Sequence, residues 1–239
     1  MQVKAAVRAS VRNYIAEKHW FENGHVVVDM LPDVSEYDED DLCTLPGHFD
    51  KNGKPIKVFS SESPGIVNTH FKWMQEYDID GAFVQEFLTD MSDPKWMQNR
   101  LKVTTNVKNA AEKYGRSWAI MFDLSRAEKI LEGIKEALDG GFSDLIKNSP
   151  MYQKQNGKPL VAIWGIGGEE KHLGNPKEAL GIVEFLNKEG FSVYAGFAGS
   201  YWKTELKSGD SDWTKLVESF DVISPWTVGS DLSPDKFEE

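Results

Sequence analysis

The segment FSSESPGIVNTHFKWMQEYDIDGAFVQEF, residues 59–87, contains a complete unit of helix, turn and strand. Ser63 followed by Pro64 is a typical helix start, because a serine oxygen can accept from free N–H groups and proline is tolerated at the first helical position. Apolar and aromatic residues then recur at three- and four-residue spacing, which predicts an amphipathic helix packed on another layer. We expect Gly81 to end the helix, and the run 82–87 predicts a strand covered on both faces.

Similar units follow and predict an α/β fold. Asp93-Pro94 and Asn175-Pro176 repeat the cap-and-proline helix start, and glycines follow the ends of these helices. Further strands are expected at 118–122, 160–164, 191–197 and 221–224. Two weaker stretches, 26–30 and 56–59, are candidates for additional strands, and 3–18 is a candidate helix. Alternating strands and helices indicate a parallel sheet.

Composition limits the classes of partner. The chain has 239 residues, 40% hydrophobic and 12% aromatic, which is ordinary for a globular protein with a large core. Its net charge of -11 opposes binding to nucleic acid, so no nucleic-acid partner is predicted. No apolar segment is long enough for membrane insertion, and charges interrupt the first 18 residues, which therefore lack the pattern of a secretory signal. Cys43 is the single cysteine, so no internal disulfide framework is expected.

The sequence predicts neither a cofactor nor a metal ion, because its candidate motifs do not match the known patterns. The glycine-rich 165–168 follows a strand, but its spacing differs from a dinucleotide fingerprint and the next helix begins only at Pro176. The acidic run 33–41 lacks the glycine and the terminal glutamate of a calcium-binding loop, so we expect a solvated loop. Three of its residues, Asp33, Glu36 and Tyr37, could still reach a polar ligand.

Polar and aromatic residues gather where strands end. In α/β sheets and barrels, ligands bind at the carboxyl ends of the strands, although one polar residue there can equally well meet solvent. Rings beside polar groups suit carbohydrate, because sugars present apolar C–H faces and a hydroxyl rim, whereas the alternative for each ring is core packing. The candidate substrate-binding residues at these ends are Gln85, Phe87, Trp164, Trp202 and Trp226.

Several motifs resemble bacterial glycoside hydrolase proteins related to families 71 and 99, some of which are described as xylosidase/arabinosidase or endo-α-mannosidase-like. The motifs are PDVSEYDEDDL (32–42), VFSS (58–61), HFKWMQEYDIDGAFVQEF (70–87), MFDLS (121–125), NGKPLVAIWGIG (156–167) and DVISPWTVG (221–229). The resemblance implies a (β/α)8 TIM-barrel domain over 19–239 that acts on glycans without a cofactor. It also implies an exported protein, periplasmic or extracellular, with a role in polysaccharide degradation.

The chain departs from this family pattern at three places. Residues 1–18 replace an early strand of the relatives, and the relatives continue beyond the strand that ends in Trp226 into two further units. The acidic pair of the relatives lies on a late strand. Glu86 stands where the relatives more often have arginine. We therefore expect an incomplete barrel that lacks its first and last strands, is truncated at the C-terminus and exposes edges suited to self-association.

The acids of this chain then allow alternative functions. Glycosidases use two carboxyl groups about 5 to 10 Å apart, and Glu86 and Asp123 are the best placed acids for catalysis. If the resemblance holds, these two acids line sugar subsites instead, and the chain lacks the late-strand catalytic pair. The predicted function is a glycoside hydrolase-like protein, with a non-catalytic carbohydrate-binding barrel fragment as the alternative. A different barrel enzyme that acts on a small polar substrate is a further possibility.

Overall fold

A computed structural model describes residues 21–22, 25–26, 30–90, 94–167, 173–198, 209 and 211–226. The candidate helix at 3–18 lies outside the described residues, as do three residues of the candidate strand at 26–30. Within the described part, no helix has the length and apolar character needed to cross a membrane.

Strands and helices alternate along most of the described chain. In order they are β1 (Phe21–Glu22), β2 (His25–Val26), β3 (Leu42–Phe49), β4 (Pro55–Phe59), α1 (Pro64–Glu76), β5 (Gly81–Phe87), α2 (Pro94–Tyr114), β6 (Ser117–Asp123), α3 (Ile130–Ala137), α4 (Ser143–Lys147), β7 (Lys154–Gln155), β8 (Lys158–Ile166), α5 (Pro176–Lys188), β9 (Ser192–Ala198), α6 (Ser211–Glu218) and β10 (Val222–Trp226). One π-helical turn, Leu138–Phe142, joins α3 to α4.

Five parallel strands form the main sheet, in the order β5-β6-β8-β9-β10. The short β7 pairs antiparallel with the start of β8. Neighbouring strands follow one another in sequence, with helices between them, which is the winding of a (β/α) barrel and not that of a doubly wound sheet. The predicted α/β class and barrel type are therefore confirmed, with the described strands forming an open arc.

The two faces of the sheet differ in burial. One face, the outer face, carries residues that form a single hydrophobic core with the helices, such as Val84, Ile120, Ile163 and Phe197, all at most 1% exposed. Residues on the other face, the inner face, alternate with them along each strand, because successive strand residues point to opposite sides. Inner-face residues such as Phe83, Met121, Trp164 and Tyr194 remain partly exposed.

One ring contact shows how strongly the sheet curves. Phe83 on β5 and Tyr194 on β9 lie on strands separated by two others, yet their ring centroids are 5.1 Å apart. Three strand spacings of a flat sheet would separate them by roughly 14 Å. Ala119 and Ala162 occupy inner-face positions of the two strands between them, and their small side chains leave room for the rings to meet. The inner face is therefore concave, as in a barrel.

Near the amino ends of β6 and β8, the buried phenol of Tyr152 takes the place of a direct backbone hydrogen bond between the two strands. The Tyr152 hydroxyl accepts from the amide of Ile120 at 3.2 Å and donates to the carbonyl of Leu160 at 2.8 Å. Direct pairing of β6 with β8 begins at Ile120 and Val161 and continues toward the carboxyl ends of the strands. Tyr152 is 3% exposed, and burial raises the pKa of its phenol. The side chain therefore bridges the two strands as a neutral hydrogen-bonding group.

Two sequence predictions are corrected here. The stretch 56–59 is in a strand, but β4 pairs antiparallel with β3 in a separate hairpin and does not extend the parallel sheet. Gly81 does not end the preceding helix. Asp78 takes the left-handed conformation, with φ of 53°, and Gly81 is the first residue of β5.

Gly81 is required by a close approach of the neighbouring strand. A Cβ at this position would lie 2.0 Å from the carbonyl oxygen of Ser117. We expect Gly81→Ala to lower the free energy of unfolding by about 2 to 3 kcal/mol, since backbone cannot move aside cheaply. Gly181→Ala in α5 is the matched control: nothing lies within 4 Å of its Cβ position, and the helix should gain about 1 kcal/mol. Urea unfolding of both variants tests this; equal stabilities would contradict it.

Candidate functional site

The carboxyl ends of the parallel strands bring a set of inner-face residues into one row. Strand register pairs Phe87 with Asp123, Asp123 with Trp164, Trp164 with Gly196 and Gly196 with Ser224. We refer to these five residues as the carboxyl row. The row lies above the Phe83 and Tyr194 rings, which fill the concave face nearer the amino ends. Phe87, Asp123 and Trp164 thus stand side by side at the edge where the sequence predicted a site.

Asp123 is the carboxylate of the row and is held at both oxygens. Its Oδ2 accepts from the Gln85 side-chain amide at 2.5 Å, and its Oδ1 accepts from the backbone N–H of Ser125 at 2.9 Å. Gln85 lies on the adjacent strand and on the same face, two residues before Phe87. Asp123 is only 3% exposed. The carboxylate therefore has a fixed orientation and retains acceptor capacity for a further hydrogen bond.

Trp164 lies over the neighbouring strand. A Cβ built on Gly196 would be 2.2 Å from Cε3 of Trp164 and 3.0 Å from its Cζ3, so the six-membered part of the indole covers the Gly196 backbone. Gly165, with φ of 98°, follows at a bulge where β8 shifts its register against β9. The ring remains partly exposed on the inner face. The aromatic surface of Trp164 and the Asp123 carboxylate thus belong to paired residues of neighbouring strands.

Glu86 does not share this site. It points to the outer face and is 0% exposed, with Oε2 2.8 Å from Nη1 of Arg100 and Oε1 3.1 Å from the hydroxyl of Thr104, both on α2. Asp123 points to the opposite face. The predicted catalytic pairing of Glu86 with Asp123 is corrected accordingly: adjacent residues of a strand face opposite sides, and Gln85, not Glu86, is the one beside Asp123.

Asp33, Glu36 and Tyr37 form a different group, packed on α1 and β4. The Tyr37 hydroxyl and Nε2 of His70 are joined by a 2.8 Å hydrogen bond, and Glu36 accepts from the indole N–H of Trp73 at 2.9 Å. Asp33 accepts from the amide of Ser35 in a local turn. Because α1 contributes to the core on the outer face, the structure does not bring these three residues to Asp123.

The remaining predicted residues are placed only in part. Trp226 ends β10 opposite Ala198, two residues beyond Ser224 of the carboxyl row, and its side chain is not described. Trp202 lies outside the described residues. Sequence reasoning missed Tyr194 and Gly196 as members of the concave face. A glycine inside a strand is a signal of close approach and could have identified Gly196.

The donor set gives no metal centre in the described part of the chain. No group of three or more His, Cys, Asp or Glu side chains is arranged there to hold a metal ion. The site as described is built from one carboxylate, one amide, the serine at position 224 and aromatic rings.

Comparisons with known proteins give structural similarity only. No protein-family model matches the sequence, and no curated protein matches it. One similar structure is the GH99 endo-alpha-mannosidase from Bacteroides thetaiotaomicron in complex with bis-tris-propane, at 11% identity and a TM-score of 0.37, covering 82% of this chain and 79% of that chain. Another is the PgaB (BpsB) glycoside hydrolase domain from Bordetella bronchiseptica, at 12% identity and a TM-score of 0.40, covering 87% of this chain and 68% of that chain.

The buried ion pair predicts a structural role for Glu86. We expect Glu86→Gln to lower the free energy of unfolding by about 3 to 5 kcal/mol, because the buried Arg100 guanidinium loses the carboxylate it is paired with. Glu76→Gln breaks an ion pair to Lys72 whose side chains are 47% and 56% exposed, and should cost no more than about 0.5 kcal/mol. Chemical unfolding compares the two; a near-neutral Glu86→Gln would show that the pair does not hold α2 on the sheet.

His70 predicts a pH dependence of stability. Burial lowers its pKa to about 4, from an ordinary value near 6.5. Between these values the unfolded chain binds the proton and the folded chain does not, so the contribution is full above pH 6.5 and is lost as pH falls through 4. We expect wild type to lose on the order of 3 kcal/mol more than His70→Gln between pH 7 and pH 4. Asn68→Gln, which alters no titratable group on α1, should retain the wild-type profile in urea titrations; parallel profiles for all three proteins would contradict this.

Proposed function

We propose that this protein is a glycan-acting, glycoside hydrolase-like protein that binds a sugar on its concave face between Asp123 and Trp164. The observation that carries the proposal is the direct pairing of these two residues at the carboxyl ends of β6 and β8. Ligands of barrel-type α/β proteins bind at this edge. The sequence resemblance to proteins related to families 71 and 99 supports the same conclusion.

The chemistry of the row suits a saccharide. A partly exposed indole offers a flat apolar surface to the C–H face of a pyranose ring. The oriented Asp123 carboxylate can accept from a sugar hydroxyl, and a charge-assisted hydrogen bond of this kind is stronger than a neutral one. Phe87 lies on the far side of Asp123 and adds a second ring to the same edge.

In a hydrolytic reaction we assign Asp123 as the carboxylate nearest the sugar. Glycoside hydrolysis proceeds through an oxocarbenium-like transition state and needs a second carboxyl group as acid, base or nucleophile. Among the described strand residues of the inner face, Asp123 is the acid at the carboxyl end. Glu86, on the outer face, cannot supply the second group without breaking its pair with Arg100.

A non-catalytic carbohydrate-binding protein is the second candidate function. The observation that favours it is the same separation of Glu86 from Asp123 by the thickness of the sheet. Binding requires the ring surface and one oriented acceptor, both of which the row has, whereas turnover requires two carboxyl groups.

Substitutions in the row separate these functions. On xylo-, arabino- and manno-oligosaccharides, we expect Trp164→Ala to weaken binding about tenfold through loss of the buried apolar contact. If the chain hydrolyses any of them, Asp123→Asn should lower kcat roughly 10²- to 10⁴-fold. Calorimetry and reducing-sugar release measure the two effects.

The controls are Trp73→Ala and Asp144→Asn, which change an indole and a carboxylate away from the concave face. Binding without hydrolysis would favour the non-catalytic function. Wild-type affinity in Trp164→Ala together with lost affinity in Trp73→Ala would move the sugar site to the Tyr37 group and overturn the proposal.

A further inference from the structure

We infer that Gly196 determines the width of the sugar site, and through it the discrimination between hexopyranose and pentopyranose rings. The inference rests on the proposed function, since it assigns a specificity residue to the same concave face. Gly196 has no side chain to offer a ligand. Its effect is exerted through the position of the Trp164 ring.

Gly196 is needed for space and not for backbone conformation. Its φ lies outside the left-handed region, in contrast to Gly165 and Gly167, whose φ values are 98° and 71°. Any residue could therefore adopt the backbone of Gly196. What excludes a side chain is the indole of Trp164, which would lie 2.2 Å, 3.0 Å and 3.2 Å from an added Cβ through Cε3, Cζ3 and Cδ2.

The direction in which the indole leans follows from the strand order. β8 lies between β6 and β9, so a Trp164 ring placed over Gly196 leans toward β9 and away from Asp123 on β6. The sugar proposed above would bind between the ring and the Asp123 carboxylate. A side chain at position 196 would push the ring back toward Asp123 and narrow that gap.

A narrower gap would weaken the binding of larger sugars more than that of smaller ones. A hexopyranose carries an exocyclic hydroxymethyl group that a pentopyranose lacks, and the fit of one such small group in a pocket is commonly worth about tenfold or more. Gly196→Ala should therefore weaken binding of manno-oligosaccharides by about tenfold relative to xylo-oligosaccharides. Since the ring itself is retained, the variant should keep part of its affinity for pentose ligands.

The test uses the full chain labelled with 5-fluorotryptophan, which gives a fluorine resonance for each of the eight tryptophans. Trp164→Phe assigns the Trp164 resonance. We expect Gly196→Ala to shift this resonance, and Gly181→Ala, where nothing lies within 4 Å of the Cβ position, to leave it in place. Calorimetry with the two oligosaccharide series measures the selectivity in parallel.

Each outcome decides the inference. A shifted resonance with a lowered hexose-to-pentose affinity ratio supports it. An unchanged resonance, or a shifted one with an unchanged ratio, overturns it while the proposed function stands. If wild type binds neither series, the proposed function and this inference both fail, and the fluorine shift still reports whether Gly196 places the ring. If Gly196→Ala does not fold, the double variant Gly196→Ala/Trp164→Ala should recover the folded state; a double variant that also fails to fold contradicts the inferred contact.

Discussion

The contact between Phe83 and Tyr194 is the constraint on which the shape of the site depends. Two rings on strands separated by two others can meet only when the sheet is tightly curved, and the small inner-face residues Ala119 and Ala162 permit that curvature. The curvature turns a flat row of strand ends into one side of a hollow. The carboxyl row can then present a carboxylate and an indole to one ligand, although its members come from different strands.

On the other face of the sheet, a charged pair takes the place of a hydrophobic contact. Glu86 and Arg100 are both 0% exposed, and Thr104 supplies a further hydrogen bond to the glutamate. A pair of this kind contributes little net stability over apolar residues of similar size, because desolvation offsets most of the attraction. It does make the docking of α2 on β5 directional, since only one placement of the helix satisfies both charges.

Most helices and strands of the parallel sheet could be predicted from the sequence, because short-range interactions determine where they begin. The face of the sheet to which each side chain points could not. Pro64, Pro94 and Pro176 begin their helices as expected, because proline fixes the backbone locally. Asn175 also caps its helix as predicted, whereas the Ser63 hydroxyl makes no capping hydrogen bond and donates to Asp41 instead. Glu86 was misassigned because β5 is apolar on both faces, so its sequence shows no alternation that would identify the inward side. β3 was missed because its Pro46 and Gly47 are typical of a turn. In both cases the deciding contacts come from the next element along the chain, which is α2 for Glu86 and β4 for β3.

The bridging phenol of Tyr152 has a consequence for how the sheet comes apart. β6 and β8 pair directly only from Ile120 to Asp123 on β6. Nearer their amino ends the two strands are joined indirectly, through the phenol of Tyr152 and through the backbone of 151–153, which hydrogen-bonds to Trp118 on β6 and to Leu160 on β8. Partial unfolding of proteins proceeds through cooperative units that separate where the cross-links are fewest. The junction between β6 and β8 thus divides the sheet into a β5–β6 unit and a β8–β9–β10 unit. Asp123 belongs to the first unit and Trp164 to the second, so separation of β6 from β8 would dismantle the proposed sugar site before either unit loses its own strands.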